Sequence, residues 1–172
     1  VDLMAREVAA AQAVTHQNLL KVNYFADSGP YKYLVMEYLA GADLATHLVR
    51  RGGKLPLEEG LNILRQAAAG LDQLHSKGLV HQDVKPPNIF VTAGGEVRVL
   101  DYGIAKVVRA HGAPGAQASG GTLAYMSPEQ LRGGTVDRRA DVYAFGLVSV
   151  ELLTGKLPFD VRDAKAVVAW HV

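Results

Sequence analysis

His81-Gln82-Asp83-Val84-Lys85-Pro86-Pro87-Asn88 is the stretch on which the reading of this chain turns. Two adjacent prolines remove backbone donors and fix φ, so the segment has to be a loop. Such a loop can aim an acceptor (Asp83), a cation (Lys85) and an amide (Asn88) at one point. Alone, it also reads as an ordinary polar turn, and a His-x-Asp triplet is weak evidence.

Working outward, a long amphipathic helix is expected before it, from about Leu57 to Ser76. Leu57, Leu61, Leu64, Ala68, Leu71 and Leu74 mark its buried face, Pro56 lies near its start, and Gly78 is placed to end it. After it, Asn88–Val91 and Val97–Leu100 read as strands flanking a turn at Gly94-Gly95. The second strand delivers Asp101-Tyr102-Gly103 to its end. An Asp there can meet a metal or a phosphate, or simply open a turn before Gly.

Further upstream, 2–14 is helical in pattern, with Leu3, Glu7, Ala10, Ala11 and Val14 on one face. Glu7 on that apolar stripe requires either a cation partner or a bend out to solvent. Leu19–Phe25 and Tyr31–Tyr38 read as a hairpin around Asp27-Ser28-Gly29-Pro30. Gly41 breaks the pattern, and a short helix over about 44–49 follows. Downstream, 104–121 is rich in Gly and Ala and reads as a mobile surface loop. Beyond Glu129 the chain is helical again, with a buried helix around Asp141–Leu153. It opens at Val1 inside a helical pattern and stops at Val172 without a cap, and both ends are expected to be truncations.

The 172 residues fit one domain, and 49% hydrophobic with 20% charged residues is ordinary globular usage. A net charge of +1 provides no strong field for nucleic acid or an anionic membrane. With no cysteine there is no disulfide framework or thiolate zinc site, and no HExxH-like pair suggests zinc at the histidines. No secretory leader pattern is present. The longest apolar stretch, Val142–Leu153, is interrupted by Ser149 and Glu151 and is too short to span a bilayer. A cytoplasmic setting is expected, with neither nucleic acid nor membrane contact by this segment. A parent protein anchored elsewhere is compatible with this.

In combination these motifs resemble the signature set of protein kinases, most closely the bacterial serine/threonine type. His81-Gln82-Asp83-x-Lys85-x-x-Asn88 is similar to the catalytic loop, and Asp101-Tyr102-Gly103 to the metal-binding Asp-Phe-Gly. Ser127-Pro128-Glu129 is similar to Ala-Pro-Glu, Gly121-Thr122-x-x-Tyr125 to the substrate-facing loop, and 141–146 to the start of the central buried helix. The resemblance covers essentially the whole chain. It implies an α+β, two-lobed kinase-like fold: part of the N-lobe over 1–36, a hinge over 37–43 and part of a mainly helical C-lobe over 44–172.

The resemblance also implies roles. Asp83 would accept the substrate hydroxyl proton, Lys85 would neutralise γ-phosphate charge, and Asn88 with Asp101 would hold Mg2+ against the phosphates of ATP. Glu7 would pair with a strand lysine lying outside this sequence. Met36 would be the gatekeeper, the backbone of Glu37 and Leu39 would bond adenine, Asp43 would sit near the ribose, and Phe90 would lie under the ring. His81 would pack beneath Tyr102, in a spine completed by Ala11 and Val22. Asp141 would tie the catalytic-loop backbone to the buried helix, and Glu129 would pair with an arginine not in this chain. Lys85 implies serine or threonine of a protein substrate as acceptor.

Two other classes are weighed. A pseudokinase or scaffold would carry a defective glycine-rich loop or strand lysine, neither of which lies in this sequence. A small-molecule phosphotransferase would lack the platform at Ser127-Pro128-Glu129. As an isolated polypeptide the chain is expected to be inactive and poorly stable. Finally, many relatives have arginine before the catalytic Asp, where it receives a phosphorylated loop residue. Here Gln82 cannot do so. Ser119 is the one hydroxyl between Asp101 and Gly121 besides Tyr102. Activation by a phosphate docked on the catalytic loop is therefore not expected, although Lys106 or Arg109 offers another cation.

Overall fold

The computed structural model describes residues 12–28, 31–102 and 123–172. Most of the expected first helix with Glu7 and Ala11, Gly29 and Pro30 of the expected Asp27–Pro30 turn, and 103–122 with Lys106, Arg109, Ser119 and Thr122 lie outside the described residues. The hairpin is β1 (Val22–Ser28) and β2 (Tyr31–Met36), paired antiparallel with a register irregularity between Val22 and Tyr24. β1 starts three residues later than expected because Leu19 and Leu20 are drawn elsewhere, β2 ends two residues earlier, and Asp27 and Ser28, expected in the turn, end β1 as partners of Lys32 and Tyr31. Leu19 forms a parallel bridge to Val99, and the Leu20 N–H donates to the Val99 carbonyl at 3.0 Å.

Residues 37–40 lead without regular structure into β3 (Gly41–Asp43), a strand the sequence reading did not anticipate. It pairs antiparallel with β4 (Ile89–Thr92), which pairs with β5 (Val97–Val99). Gly41 permits this: its φ is 155°, and a Cβ there would lie 2.2 Å from the Val91 carbonyl oxygen. Asp43 then starts α1 (Leu44–Arg50), accepting from the Thr46 N–H at 2.9 Å and the Thr46 hydroxyl at 2.7 Å.

The long helix is α2 (Leu57–Ser76), with the bounds expected. Its buried face differs: Leu57, Leu61 and Ala68 are exposed, while Gly60, Ile63, Ala67 and Gly70 join Leu64, Leu71 and Leu74 inside. The small residues set the packing distance. A Cβ on Gly70 would stand 2.6 Å from the Asn18 carbonyl oxygen, so the 16–20 segment lies directly on the helix backbone. Asn18, itself buried, donates to the Gln66 side chain at 3.2 Å and to the Val97 carbonyl at 2.9 Å. Gly70→Val is expected to destabilise the protein by about 3 kcal/mol through this overpacking, measurable by urea denaturation.

The C-terminal part contains α3 (Pro128–Leu131), α4 (Arg138–Thr154) and α5 (Ala164–His171). Asp137 caps α4 by accepting from the Arg139 N–H, and Gly155 ends it in the left-handed region. Ala144, Val148 and Leu152 of α4 join Leu44, Leu48, Ile63, Leu71, Leu74, Ile89 and Val99 in one core. Each fully buried leucine among them contributes about 2 kcal/mol. The α4 helix is buried on one face, whereas Val142 is 63% exposed. Among the described residues no helix is long and apolar enough to cross a membrane.

Candidate active site

After α2 the chain turns at Lys77-Gly78 and returns toward α4, where Asp141 captures it. This carboxylate is 1% exposed. It accepts from the backbone N–H of His81 at 2.8 Å, from that of Gln82 at 2.7 Å, and from His75 Nε2 at 2.7 Å. A buried carboxylate requires such donors, and they tie the loop backbone to the helix as the sequence suggested.

His81 is buried too. Its Nε2 meets the Leu100 carbonyl at 2.8 Å and its Nδ1 accepts from the Asp83 N–H at 3.3 Å, which defines a neutral ring. Burial pushes its pKa below the ordinary histidine value, against the pull of Asp141 and of the Leu100 carbonyl. The unfolded chain therefore binds this proton more readily. Stability from His81 is fully present above about pH 6.5 and falls as the pH drops through that value toward the lower folded pKa. Tm is expected to decline between pH 7.5 and 5.5, and less steeply in His81→Phe. Equal slopes in the two proteins would contradict this.

The two prolines form a 3-10 turn, Pro86–Asn88, following an extended Lys85. The Asn88 N–H donates to the Lys85 carbonyl at 2.9 Å. This closure turns the buried Asn88 side chain back onto Asp83, where its Nδ2 donates to the backbone oxygen at 2.7 Å and to Oδ2 at 3.0 Å. Lys85 Nζ reaches the same Oδ2 at 2.9 Å. Acceptor, cation and amide thus converge as the sequence reading expected. The Leu100 N–H bonds the Asn88 carbonyl at 2.8 Å, so β5 releases Asp101 beside the turn. Asp101 has φ 57°, in the left-handed region that Asp tolerates, and its residue is exposed. Tyr102 behind it is buried and donates its hydroxyl to the Leu20 carbonyl at 2.8 Å. Burial, with the nearby Glu37 charge, raises its pKa to about 12.

The donor set fits magnesium. The Asn88 amide nitrogen is committed to Asp83, and its Oδ1 makes no hydrogen bond among the described residues. Two hard oxygens plus substrate phosphates and water suit this ion. No group of three or more His, Cys, Asp and Glu that could hold a metal exists among the described residues. In the segment after β2, the Glu37 N–H and carboxylate are both engaged with the Lys21 backbone, at 3.0 and 2.8 Å. The Glu37 carbonyl and the Leu39 N–H make no hydrogen bond among the described residues. Met36 ends β2, 39% exposed. Asp43 and Phe90 are register partners across β3 and β4. Partial burial raises the Asp43 pKa, but the bonds from Thr46 outweigh it and hold the carboxyl below its ordinary value. The structure thus brings Asp83, Lys85 and Asn88 together and pairs Asp43 with Phe90, whereas Glu7 lies outside the described residues.

Some contacts were not legible in advance. Tyr125 donates its hydroxyl to Glu151 of α4, and Gln130 bridges Ser127 to the Gln82 carbonyl of the Asp83 loop. Neither pair has a sequence spacing that announces it. Glu129 makes no ion pair among the described residues.

The protein kinase domain model matches residues 2–171. The chain is 34% identical over 167 residues to the serine/threonine-protein kinase PrkC of Bacillus subtilis, covering 97% of this chain and 26% of that protein. To pkn2 of Myxococcus xanthus it is 39% identical, covering 90% of this chain and 19% of the relative. To PknB of Mycobacterium leprae it is 39% identical, covering 96% and 27% respectively. The chain therefore spans about a quarter of the length of these relatives. With the family model matching nearly every residue, this chain belongs to the protein kinase domain family.

Proposed function

We propose that the protein containing this chain is a serine/threonine kinase that transfers the γ-phosphoryl group of ATP to a hydroxyl of a protein substrate. The observation that carries this is the shared Oδ2 of Asp83. Lys85 and Asn88 both bind that oxygen, at 2.9 and 3.0 Å, which leaves Oδ1 to meet an incoming hydroxyl. Asp83 orients the hydroxyl and accepts its proton as the oxygen attacks. Lys85 supplies positive charge where the γ-phosphate oxygens gather. Asn88 Oδ1 and the Asp101 carboxylate would hold magnesium, which would neutralise phosphate charge when bound. Glu37 and Leu39 fix the adenine, Asp43 lies toward the ribose, and Phe90 supports the ring from below. Little covalent chemistry is asked of the protein, and catalysis is mostly positioning and electrostatics.

The test uses the full-length protein with ATP labelled at the γ position and a panel of protein substrates. Acid-stable label on serine or threonine is expected. Nucleotide binding without transfer would make this a scaffold, and label confined to small molecules would make it a different phosphotransferase. Phosphatase treatment before the assay, and Ser119→Ala, are each expected to leave the rate within about twofold, because neutral Gln82 offers no charged fork for a phosphate. A rate loss beyond tenfold in either would show that another cation receives one.

A further inference from the structure

Gln130 stands at the third position of the short helix α3, three residues after the N-cap Ser127. Its Oε1 accepts from the Ser127 N–H at 3.0 Å and from the Ser127 hydroxyl at 3.2 Å. Its Nε2 donates to the carbonyl of Gln82 at 2.9 Å. The first pair of bonds caps a helix, a task that Glu performs as well as Gln. The third does not. It reaches 48 residues back along the chain to the peptide immediately before Asp83.

Two observations give that bond meaning. Gln82 has φ 67°, a conformation costly for a residue with a side chain, which persists only where its surroundings impose it. Here they act from both sides, Asp141 Oδ1 holding the N–H at 2.7 Å and Gln130 Nε2 the carbonyl at 2.9 Å. The crevice between loop and platform, lined by Gln82, Asp83, Met126 and Gln130, has a volume of only about 10 Å3. That is room for about one water, so among the described residues the two elements lie close together. Ser127 on the far side is fully buried and cannot drift.

We propose that Gln130 is a positioning residue that locks the Gln82–Asp83 peptide to the segment preceding Ser127, fixing the catalytic carboxylate against the surface that receives the protein substrate. The lock needs no phosphate and no charge. It rests on the kinase reading above and adds to it a built-in, unregulated link between catalytic loop and substrate platform.

Reciprocal variants of the full-length protein separate this role from capping. Gln130→Glu keeps the cap acceptor and sets an oxygen against the Gln82 carbonyl. Gln130→Lys keeps a donor and loses the cap. Q130E is expected to lower kcat by about tenfold or more, with KM for ATP within about twofold and Tm within a few degrees. Q130K is expected to retain more of kcat than Q130E while losing more Tm. Wild-type kcat in Q130E with a lower kcat in Q130K would overturn the proposal and leave the kinase reading intact. Should Q130E not fold, Q130K against Gln130→Met makes the same comparison, donor present against donor absent, and equal kcat in those two overturns it. Should the wild type transfer no phosphate, the kinase reading fails, and amide hydrogen exchange at residues 81–85 decides. Faster exchange in Q130E than in Q130K supports the lock, and equal rates refute it.

Discussion

Asp83→Asn is expected to lower phosphoryl transfer by about a thousandfold, the range found for loss of a positioned base, while nucleotide affinity stays within about threefold. The geometry explains why so small a change costs so much. Lys85 Nζ and Asn88 Nδ2 are both donors and both point at Oδ2. An asparagine keeps its oxygen there to satisfy them, which forces its amide NH2 into the position of Oδ1. A substrate hydroxyl then meets a donor instead of an acceptor and can neither be oriented nor lose its proton. The loop itself survives, because its backbone is held by Asp141 and not by Asp83. Steady-state kinetics beside a nucleotide-binding titration check this. Near-normal turnover would remove Asp83 from the chemistry.

Asp101→Asn is expected to lower turnover by about a hundredfold and to raise the magnesium concentration needed for nucleotide binding by about tenfold. Asn tolerates φ 57° as well as Asp does, so the backbone at this strand end does not resist the change. What is lost is one full negative charge on the oxygen proposed as a ligand. Magnesium titrations of nucleotide binding separate the metal effect from any effect on chemistry. An unchanged magnesium requirement would mean that Asp101 is not a ligand.

The parts of this fold that were readable from sequence are those with a local cause. The Pro86-Pro87 pair and the Gly94-Gly95 turn determined the loop and the β4–β5 hairpin, and the periodicity of 57–76 determined α2 to its ends. What escaped reading depends on partners distant in the chain. The buried face of α2 does not follow its leucines, because Gly60 and Gly70 let Leu152, Leu153 and Asn18 approach the helix backbone. β3 was missed because three residues around a glycine have no strand signature until β4 pairs with them. The convergence of Asp83, Lys85 and Asn88 was legible, since they lie within six residues of one constrained loop. Gln130 and His75 were not, because a glutamine after a Pro-Glu pair and a histidine in the last turn of a helix acquire meaning only when 82 and 141 are brought to them.

We expect the Asp83 loop and Asp101 to frame a single site for phosphoryl transfer. The most direct measurement is a crystal structure of the full-length protein with a non-hydrolysable ATP analogue and manganese, whose anomalous scattering locates the ion. Manganese is expected within direct coordination distance of Asn88 Oδ1 and the Asp101 carboxylate, with the terminal phosphate facing Asp83. Manganese bound elsewhere, or a nucleotide whose phosphates point away from Asp83, would contradict it.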